Sequence, residues 1–185
     1  VYKRQEYYKG IFTTLSSCAS RQLEEVTFRR ATISVPELMA TAGKYFRKVY
    51  KGNKAHIDFK IQLLEGRITG DWNQLRFLLE NLIDEACSVT LDGAVCLSAR
   101  EDGEFIRFLF TDMRREKTRE ELNQLFYPDL SRMTAGEKGE LYGTEYLVCK
   151  QIIRDHDEFA GKRGCRINAE PAENGGFTVY FTIPR

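Results

Sequence analysis

Residues 71–88, with the sequence DWNQLRFLLENLIDEACS, have the pattern of one amphipathic helix of about five turns. Asp71 is suited to cap the start of this helix, and Gln74 three positions later completes a capping box. Six apolar residues recur at the three- and four-residue spacings that share one helix face: Leu75, Leu78, Leu79, Leu82, Ile83 and Ala86. The stretch therefore predicts a buried helix around which the other elements are arranged.

Two polar residues of this helix, Asn81 and Glu85, lie four positions apart and therefore share a face at the edge of the apolar stripe. Such a pair is typical of a solvated flank beside a core helix. The same placement also suits two side chains that hold a ligand. The helix taken alone leaves both interpretations open.

The composition is that of a folded globular protein, since 42% of the 185 residues are hydrophobic and 30% are charged. A formal net charge of +1 gives no electrostatic argument for a nucleic acid or a membrane surface as partner. No apolar run approaches the roughly 18 residues that span a bilayer. The five scattered cysteines include no C-x-x-C pair, which predicts a reducing, cytoplasmic environment without a disulfide framework.

Strand and helix patterns alternate along the chain on both sides of helix 71–88. Strands are predicted at residues 30–34, 56–63, 94–99, 105–111, 165–169 and 177–183, and further helices near 35–51, 118–125 and 145–157. Residues 67–69 are expected to pair back onto the strand before them. This order predicts an α/β sandwich of the α+β class, with a mixed, mostly antiparallel sheet covered on one face by helices.

The first 29 residues have a helical pattern without glycine or proline after Gly10. They fit either the end of a longer helix that pairs with a partner or a helix packed on its own domain. We therefore divide the chain into a helical lead-in, residues 1–29, and a domain, residues 30–185. Because the chain begins with Val1 and not with methionine, we expect it to be a fragment of a longer protein.

The two histidines lie far apart in the sequence and do not form a catalytic pair with a recognisable nucleophile. His56 falls in a predicted strand. His156 falls at the C-terminal end of helix 145–157, where its positively charged form would interact favourably with the helix dipole.

The order of several segments resembles the ATP-binding catalytic domain of sensor histidine kinases, in the wider family of gyrase, Hsp90, histidine-kinase and MutL ATPases. The segments are helix 71–88, the strand before Asp112, the short helix before Phe126, a glycine-containing loop, and the helix after Gly143. The resemblance covers residues 30–185. It implies a histidine-kinase-like ATPase fold in a bacterial two-component signalling protein.

The resemblance also implies ATP and Mg²⁺ as ligands and assigns roles to four residues. Asn81 matches the first asparagine of the family's N-box, which works near the phosphates and magnesium. Glu85 stands where the family has a second asparagine, a magnesium ligand. Asp112 matches the aspartate that accepts the adenine amino group, and Gly143 matches a glycine of the ATP lid. The predicted nucleotide-binding residues are thus Asn81, Asp112 and Gly143, and the predicted metal ligands are Asn81 and Glu85.

The chain departs from the family pattern at positions that approach the nucleotide. Arg114 and Glu116 stand at the two glycine positions of the D-x-G-x-G motif, where side chains would obstruct close approach of the backbone. Phe177 replaces a threonine near the start of the last strand, and its ring is expected to occupy adenine space. Residues 1–29 contain no histidine, so the phosphoacceptor of such kinases is absent from this chain.

Three functions follow from this comparison, and they leave open whether the chain is an enzyme. The first is a degenerate kinase-like domain with weak or lost ATP binding, which passes on conformational state or dimerises. The second is a functional ATP- and Mg²⁺-binding catalytic domain of a sensor kinase. The third is an interaction domain in which Phe177, Met113 and Arg114 fill the former pocket. The expected partners are a second copy, through the N-terminal helix, and a response regulator or another signalling protein.

Overall fold

The structure is a computed structural model that describes residues 27–127 and 144–185. Its helices are α1 (Val35–Tyr50), α2 (Trp72–Ser88), α3 (Arg119–Gln124) and α4 (Thr144–Phe159). Its strands are β1 (Ala31–Ser34), β2 (Ile57–Gln62), β3 (Arg67–Gly70), β4 (Gly93–Asp102), β5 (Phe105–Asp112), β6 (Ile167–Pro171) and β7 (Phe177–Pro184). Within the described ranges, every helix is too short or too polar to cross a lipid bilayer.

Five strands form one sheet in the order β2-β4-β5-β7-β6, in which only the β2–β4 pair is parallel. This arrangement confirms the predicted α/β sandwich with a mixed, mostly antiparallel sheet. The prediction that residues 67–69 pair back onto β2 is wrong. These residues belong to β3, which pairs antiparallel with β1 in a separate two-stranded sheet, so that Ile33 lies opposite Ile68.

The hydrophobic core lies between the five-stranded sheet and the helices. Along β5 the buried positions alternate, with Ile106, Phe108 and Phe110 directed into the core. Phe108 stacks on Phe181 of β7 at a centroid distance of 5.0 Å. The alternation therefore shows that one face of β5 packs against the helices.

Helix α2 supplies much of the helix side of this core. All six apolar residues of its predicted stripe are buried, and Asp71 caps the helix by accepting a hydrogen bond from the backbone N–H of Gln74 over 3.1 Å. The capping box is incomplete, because the buried Oε1 of Gln74 has no hydrogen-bond partner among the described residues. By contrast, Thr118 and Glu121 form both bonds of a capping box at the start of α3.

Candidate functional site

Asp112 ends β5 and is almost fully buried, with 1% of its surface exposed. Arg114 donates from Nε to Oδ1 over 2.9 Å and from Nη2 to Oδ2 over 2.8 Å. Arg115 donates from Nε to Oδ2 over 3.0 Å, and the backbone N–H of Arg114 bonds Oδ1 over 3.0 Å. A carboxylate has about four lone-pair sites for hydrogen bonds. These bonds therefore fill the acceptor capacity of Asp112.

Arg114 also closes the C-terminal end of α2. Its Nη2 donates to the carbonyl oxygen of Ala86 over 2.6 Å, and its Nη1 donates to those of Val89 over 3.3 Å and Leu91 over 3.1 Å. Helix ends leave carbonyl groups without intrahelical partners, and this guanidinium supplies donors for them. Gly93 makes room for the side chain, since a Cβ there would lie 2.8 Å from Cγ of Arg114. The Arg114 side chain is fully buried.

Arg115 joins α2 to β5. Its Nη1 and Nη2 donate to Oε1 and Oε2 of Glu85 over 2.7 Å and 2.8 Å, in addition to its bond with Asp112. This two-point pairing of guanidinium and carboxylate is among the stronger ion-pair geometries in proteins. We call Glu85, Asp112, Arg114 and Arg115 the arginine cluster. It lies between α2 and the end of β5 and contains the two residues to which the resemblance assigns adenine and magnesium binding.

Phe177 closes the cluster from the side of β7. It lies directly opposite Asp112 in the antiparallel β5–β7 pair and is 2% exposed. The Arg115 guanidinium carbon lies 5.3 Å from the centre of its ring, and Nζ of Lys117 lies 5.4 Å from it. Both distances fall in the range of cation–π attraction. The ring and the two cations thus pack against each other beside the Asp112 carboxylate.

Tyr146 connects the cluster to α4. This residue is 3% exposed, and its hydroxyl hydrogen-bonds with the Glu85 carboxylate. The ring of Phe126, which follows α3, meets the Tyr146 ring edge-on at a centroid distance of 5.7 Å. The segment after α3 is thus linked to the first turn of α4 by an edge-on aromatic contact, and Tyr146 continues this link to Glu85.

The electrostatics of the cluster favour its charged form. Burial would raise the pKa of the Asp112 carboxyl, but the hydrogen bonds from Arg114 and the charge of Arg115 outweigh it, so that the pKa is lowered. Burial would lower the pKa of Arg115, but its bond with Glu85 and the charges of Glu85 and Asp112 raise it instead. Burial and the charge of Glu85 raise the pKa of Tyr146, which therefore keeps its proton.

The structure brings two of the predicted site residues together and leaves a third apart from them. Asp112 and Glu85 are brought together by Arg115, whereas the side chain of Asn81 bonds within its own helix, donating from Nδ2 to the carbonyl oxygen of Phe77 over 2.7 Å. Gly143 lies outside the described residues. In the described part of the chain, no group of three or more histidine, cysteine or carboxylate side chains is arranged to hold a metal ion.

One element of the pocket-filling hypothesis is wrong. Arg114 and Phe177 are buried as that hypothesis expects, but Met113 is 45% exposed and therefore does not fill a buried pocket. Sequence reasoning also missed Arg115 and Tyr146. The available signal for Arg115 was its position between two acidic residues of the motif, Asp112 and Glu116. The spacing does not determine which carboxylate a long, flexible arginine side chain will bind.

The family model described as "Histidine kinase-, DNA gyrase B-, and HSP90-like ATPase" matches residues 70–185, which contain the whole arginine cluster. The chain belongs to this ATPase family. No curated protein matches the sequence.

Solved structures of histidine kinases share the fold of this ATPase-family chain. The nucleotide-free catalytic domain of histidine kinase ThkA is 19% identical, with a TM-score of 0.64 over 84% of this chain and 95% of that one. Acinetobacter baumannii histidine kinase AdeS is 13% identical, with a TM-score of 0.67 over 97% of this chain and 79% of that one. ThkA in complex with response regulator protein TrrA is 17% identical, with a TM-score of 0.70 over 97% of this chain and 48% of that one.

Proposed function

We propose that this chain is a degenerate histidine-kinase-like ATPase domain of a bacterial two-component signalling protein, with weak or lost ATP binding. The observation that carries the proposal is the arginine cluster, in which the carboxylates of Asp112 and Glu85 already bind guanidinium groups. A domain of this kind passes on conformational state and needs no phosphoryl transfer of its own.

The adenine role implied for Asp112 conflicts with its bonds. That role requires a carboxylate oxygen free to accept the adenine amino group, whereas both oxygens of Asp112 accept from Arg114 or Arg115. A guanidinium offers donors and no acceptor, so neither arginine can replace the carboxylate in that role. Phe177, opposite Asp112, adds a buried ring beside the same carboxylate.

The magnesium role implied for Glu85 conflicts with its ion pair. Carboxylate oxygens are suitable Mg²⁺ ligands, but both Oε atoms of Glu85 bind Arg115, and the Tyr146 hydroxyl bonds to the same carboxylate. A divalent cation at this position would also meet the positive charge of Arg115 at close range. The residues present therefore do not fit the metal in this arrangement.

A functional ATP- and Mg²⁺-binding catalytic domain is the second candidate. It is favoured by the motif residues that keep the family's identity at their positions, among them Asn81 and Asp112, and by the family match over residues 70–185. This function requires the cluster to open, so that both arginines leave Asp112 when nucleotide binds.

Titration with a fluorescent ATP analogue, with and without Mg²⁺, separates the two candidates. We expect no saturable signal up to about millimolar nucleotide for the full chain, with an authentic histidine-kinase catalytic domain as positive control. Saturable binding at micromolar concentration, displaced by unlabelled ATP and lost in Asp112→Asn, would overturn the proposal and establish the second candidate.

We propose a domain boundary between residues 29 and 30, and a cytoplasmic location. For the lead-in, residues 1–29, we propose dimerisation with a second copy of the chain. Multi-angle light scattering on the full chain tests this proposal, and a monomer mass would contradict it. ThkA has been solved with response regulator protein TrrA, and we propose a response regulator or another signalling protein as the partner here.

A further inference from the structure

Residues 27–30, which we call the docking segment, bond directly to the start of α2. The backbone N–H of Arg29 donates to Oδ2 of Asp71 over 2.9 Å. The other oxygen of this carboxylate, Oδ1, accepts from the backbone N–H of Gln74 as the N-cap of the helix. One buried carboxylate therefore holds both the docking segment and the first turn of α2.

His156 lies beneath the same junction and holds it from α4. Its Nε2 accepts a hydrogen bond from the backbone N–H of Asp71 over 3.0 Å, and its Nδ1 lies 2.8 Å from the carbonyl oxygen of Ile152. An imidazole that accepts at Nε2 and donates at Nδ1 is neutral. The side chain is 0% exposed. The sequence-based prediction of a positively charged His156 at the helix end is therefore wrong.

Phe28 and Gly70 fix the position of the imidazole. The Phe28 ring meets the His156 ring edge-on at a centroid distance of 4.8 Å and lies 5.8 Å from the Phe159 ring. Gly70 lets the chain pass close to the imidazole, since a Cβ there would lie 2.9 Å from two of its ring atoms. The ring is thus covered by the docking segment on one side and by the end of β3 on another.

We propose that His156 is a proton-sensitive latch for the docking segment. With the imidazole neutral, the backbone N–H of Asp71 keeps its hydrogen bond to Nε2. The docking segment then stays bound to the Asp71 carboxylate and to the rings of His156 and Phe159. A proton on Nε2 removes the acceptor of the Asp71 N–H, so that this buried backbone donor loses its hydrogen bond. Acidification therefore releases the docking segment while the sheet and its core remain folded.

The charges around the imidazole set the direction of this switch. Burial lowers the pKa of His156, and its bond to the Ile152 carbonyl and the negative charge of Asp71 oppose that effect without overcoming it. The latch is therefore closed at neutral pH and opens below the usual range of histidine, about pH 6.5. The other charged side chains of the docking segment and of the end of α4 lie at exposed or half-buried positions: Arg29, Arg30, Arg154, Asp155, Asp157 and Glu158.

The latch contacts both helices that reach the arginine cluster. Asp71 caps α2, which carries Glu85, and His156 belongs to α4, which carries Tyr146. Movement of the docking segment would thus act on the relative position of α2 and α4. This inference does not depend on whether the cluster binds nucleotide.

The fluorescence of Trp72 tests the latch, because this residue follows Asp71 directly and is the one tryptophan of the chain. Between about pH 7.5 and about pH 5 we expect a fluorescence transition with a midpoint below about 6.5, without loss of far-ultraviolet circular dichroism. His156→Gln should abolish the transition. His56→Gln is the matched control, because His56 is the other histidine and is exposed, and it should leave the transition in place.

Amide hydrogen exchange provides a second readout in the unaltered chain, which applies even where His156→Gln does not fold. We expect the protection factors of the Arg29 and Asp71 amides to fall at least about tenfold between the two pH values, while those of β5 stay unchanged. Phe28→Ala should move the Trp72 midpoint upward, because a less covered imidazole takes up a proton more readily. A transition that survives His156→Gln, unchanged protection at Arg29 and Asp71, or a fluorescence change that coincides with loss of the β5 amides would each overturn the inference.

Discussion

Arg114 binds both carboxylate oxygens of Asp112, and the side chains of the pair are 0% and 2% exposed. In the resembling kinases the second residue after this aspartate is a glycine. Here the side chain at that position returns to the aspartate and then continues to the carbonyl groups at the end of α2. At this position the chain has a structural link between helix and strand.

This link predicts that Asp112 acts on stability in the absence of any ligand. Asp112→Asn removes the charge that pairs with two buried guanidinium groups, and breaking a buried pair from one side costs about 3 kcal/mol or more. Urea unfolding of the nucleotide-free chain measures the loss. Asp58→Asn is the control, since its pair with Lys60 is solvent-exposed and contributes less than about 1 kcal/mol. Equal midpoints for the two variants would contradict a structural role for Asp112.

The same carboxylate predicts a pH dependence with a defined sign. Its folded pKa is lowered, so its contribution to the free energy of unfolding is complete above the unfolded value of about 3.9 and disappears as the pH falls through the folded value. The stability gap between the wild-type chain and Asp112→Asn should therefore be widest near neutral pH and should narrow below about pH 4. Urea midpoints at several pH values measure the gap, and a constant gap would be the contrary result.

Two adjacent glycines in the turn before β7 predict unequal costs for the same substitution. Gly175 and Gly176 both have positive φ, at 92° and 81°, so alanine at either position costs about 1–2 kcal/mol of backbone strain. A Cβ at Gly176 would also overlap the carbonyl group of Asp112, whereas at Gly175 the nearest atom is Oε1 of Glu116 at 3.9 Å. We expect Gly176→Ala to lower the thermal midpoint clearly more than Gly175→Ala, and similar midpoints would show that β7 does not approach Asp112 this closely.

The sequence predicts the fold well where local signals agree with tertiary packing. The apolar stripe of α2 and its Asp71 cap depend on spacing within one segment, and both are confirmed. The strand partner of β3 was predicted wrongly, because proximity in sequence favours β2 whereas the observed partner, β1, lies more than thirty residues earlier. The partner of a strand as short as β3 depends on where helix α1 places β1, and no pattern within residues 67–69 contains that information.

The candidate site shows a similar division. The resemblance identified Asp112 and Glu85, and the structure brings them to one place through Arg115. The ion pair between Arg115 and Glu85 joins residues thirty positions apart, and the reach of an arginine side chain leaves several carboxylates within range. Replacement of the motif glycine indicated obstruction at Arg114. It did not indicate that the guanidinium would fill the acceptor capacity of the very aspartate that the motif depends on.

Restoring the family residues should reopen the nucleotide position. We expect the triple variant Arg114→Gly, Arg115→Ala and Phe177→Thr to gain binding of a fluorescent ATP analogue, because both oxygens of Asp112 lose their arginine side-chain donors and the adjacent ring is removed. Adding Glu85→Asn, which restores the family's metal ligand, should make that binding depend on Mg²⁺.

The triple variant will be less stable, because α2 loses the Arg114 donors at its end. A ligand-induced rise of its thermal midpoint therefore serves as a readout that reports folding and binding together. Phe177→Thr alone is the matched control, which keeps both arginines and should bind no better than the wild-type chain. Equal gain from this single substitution would show that the ring, and not the arginine cluster, closes the site.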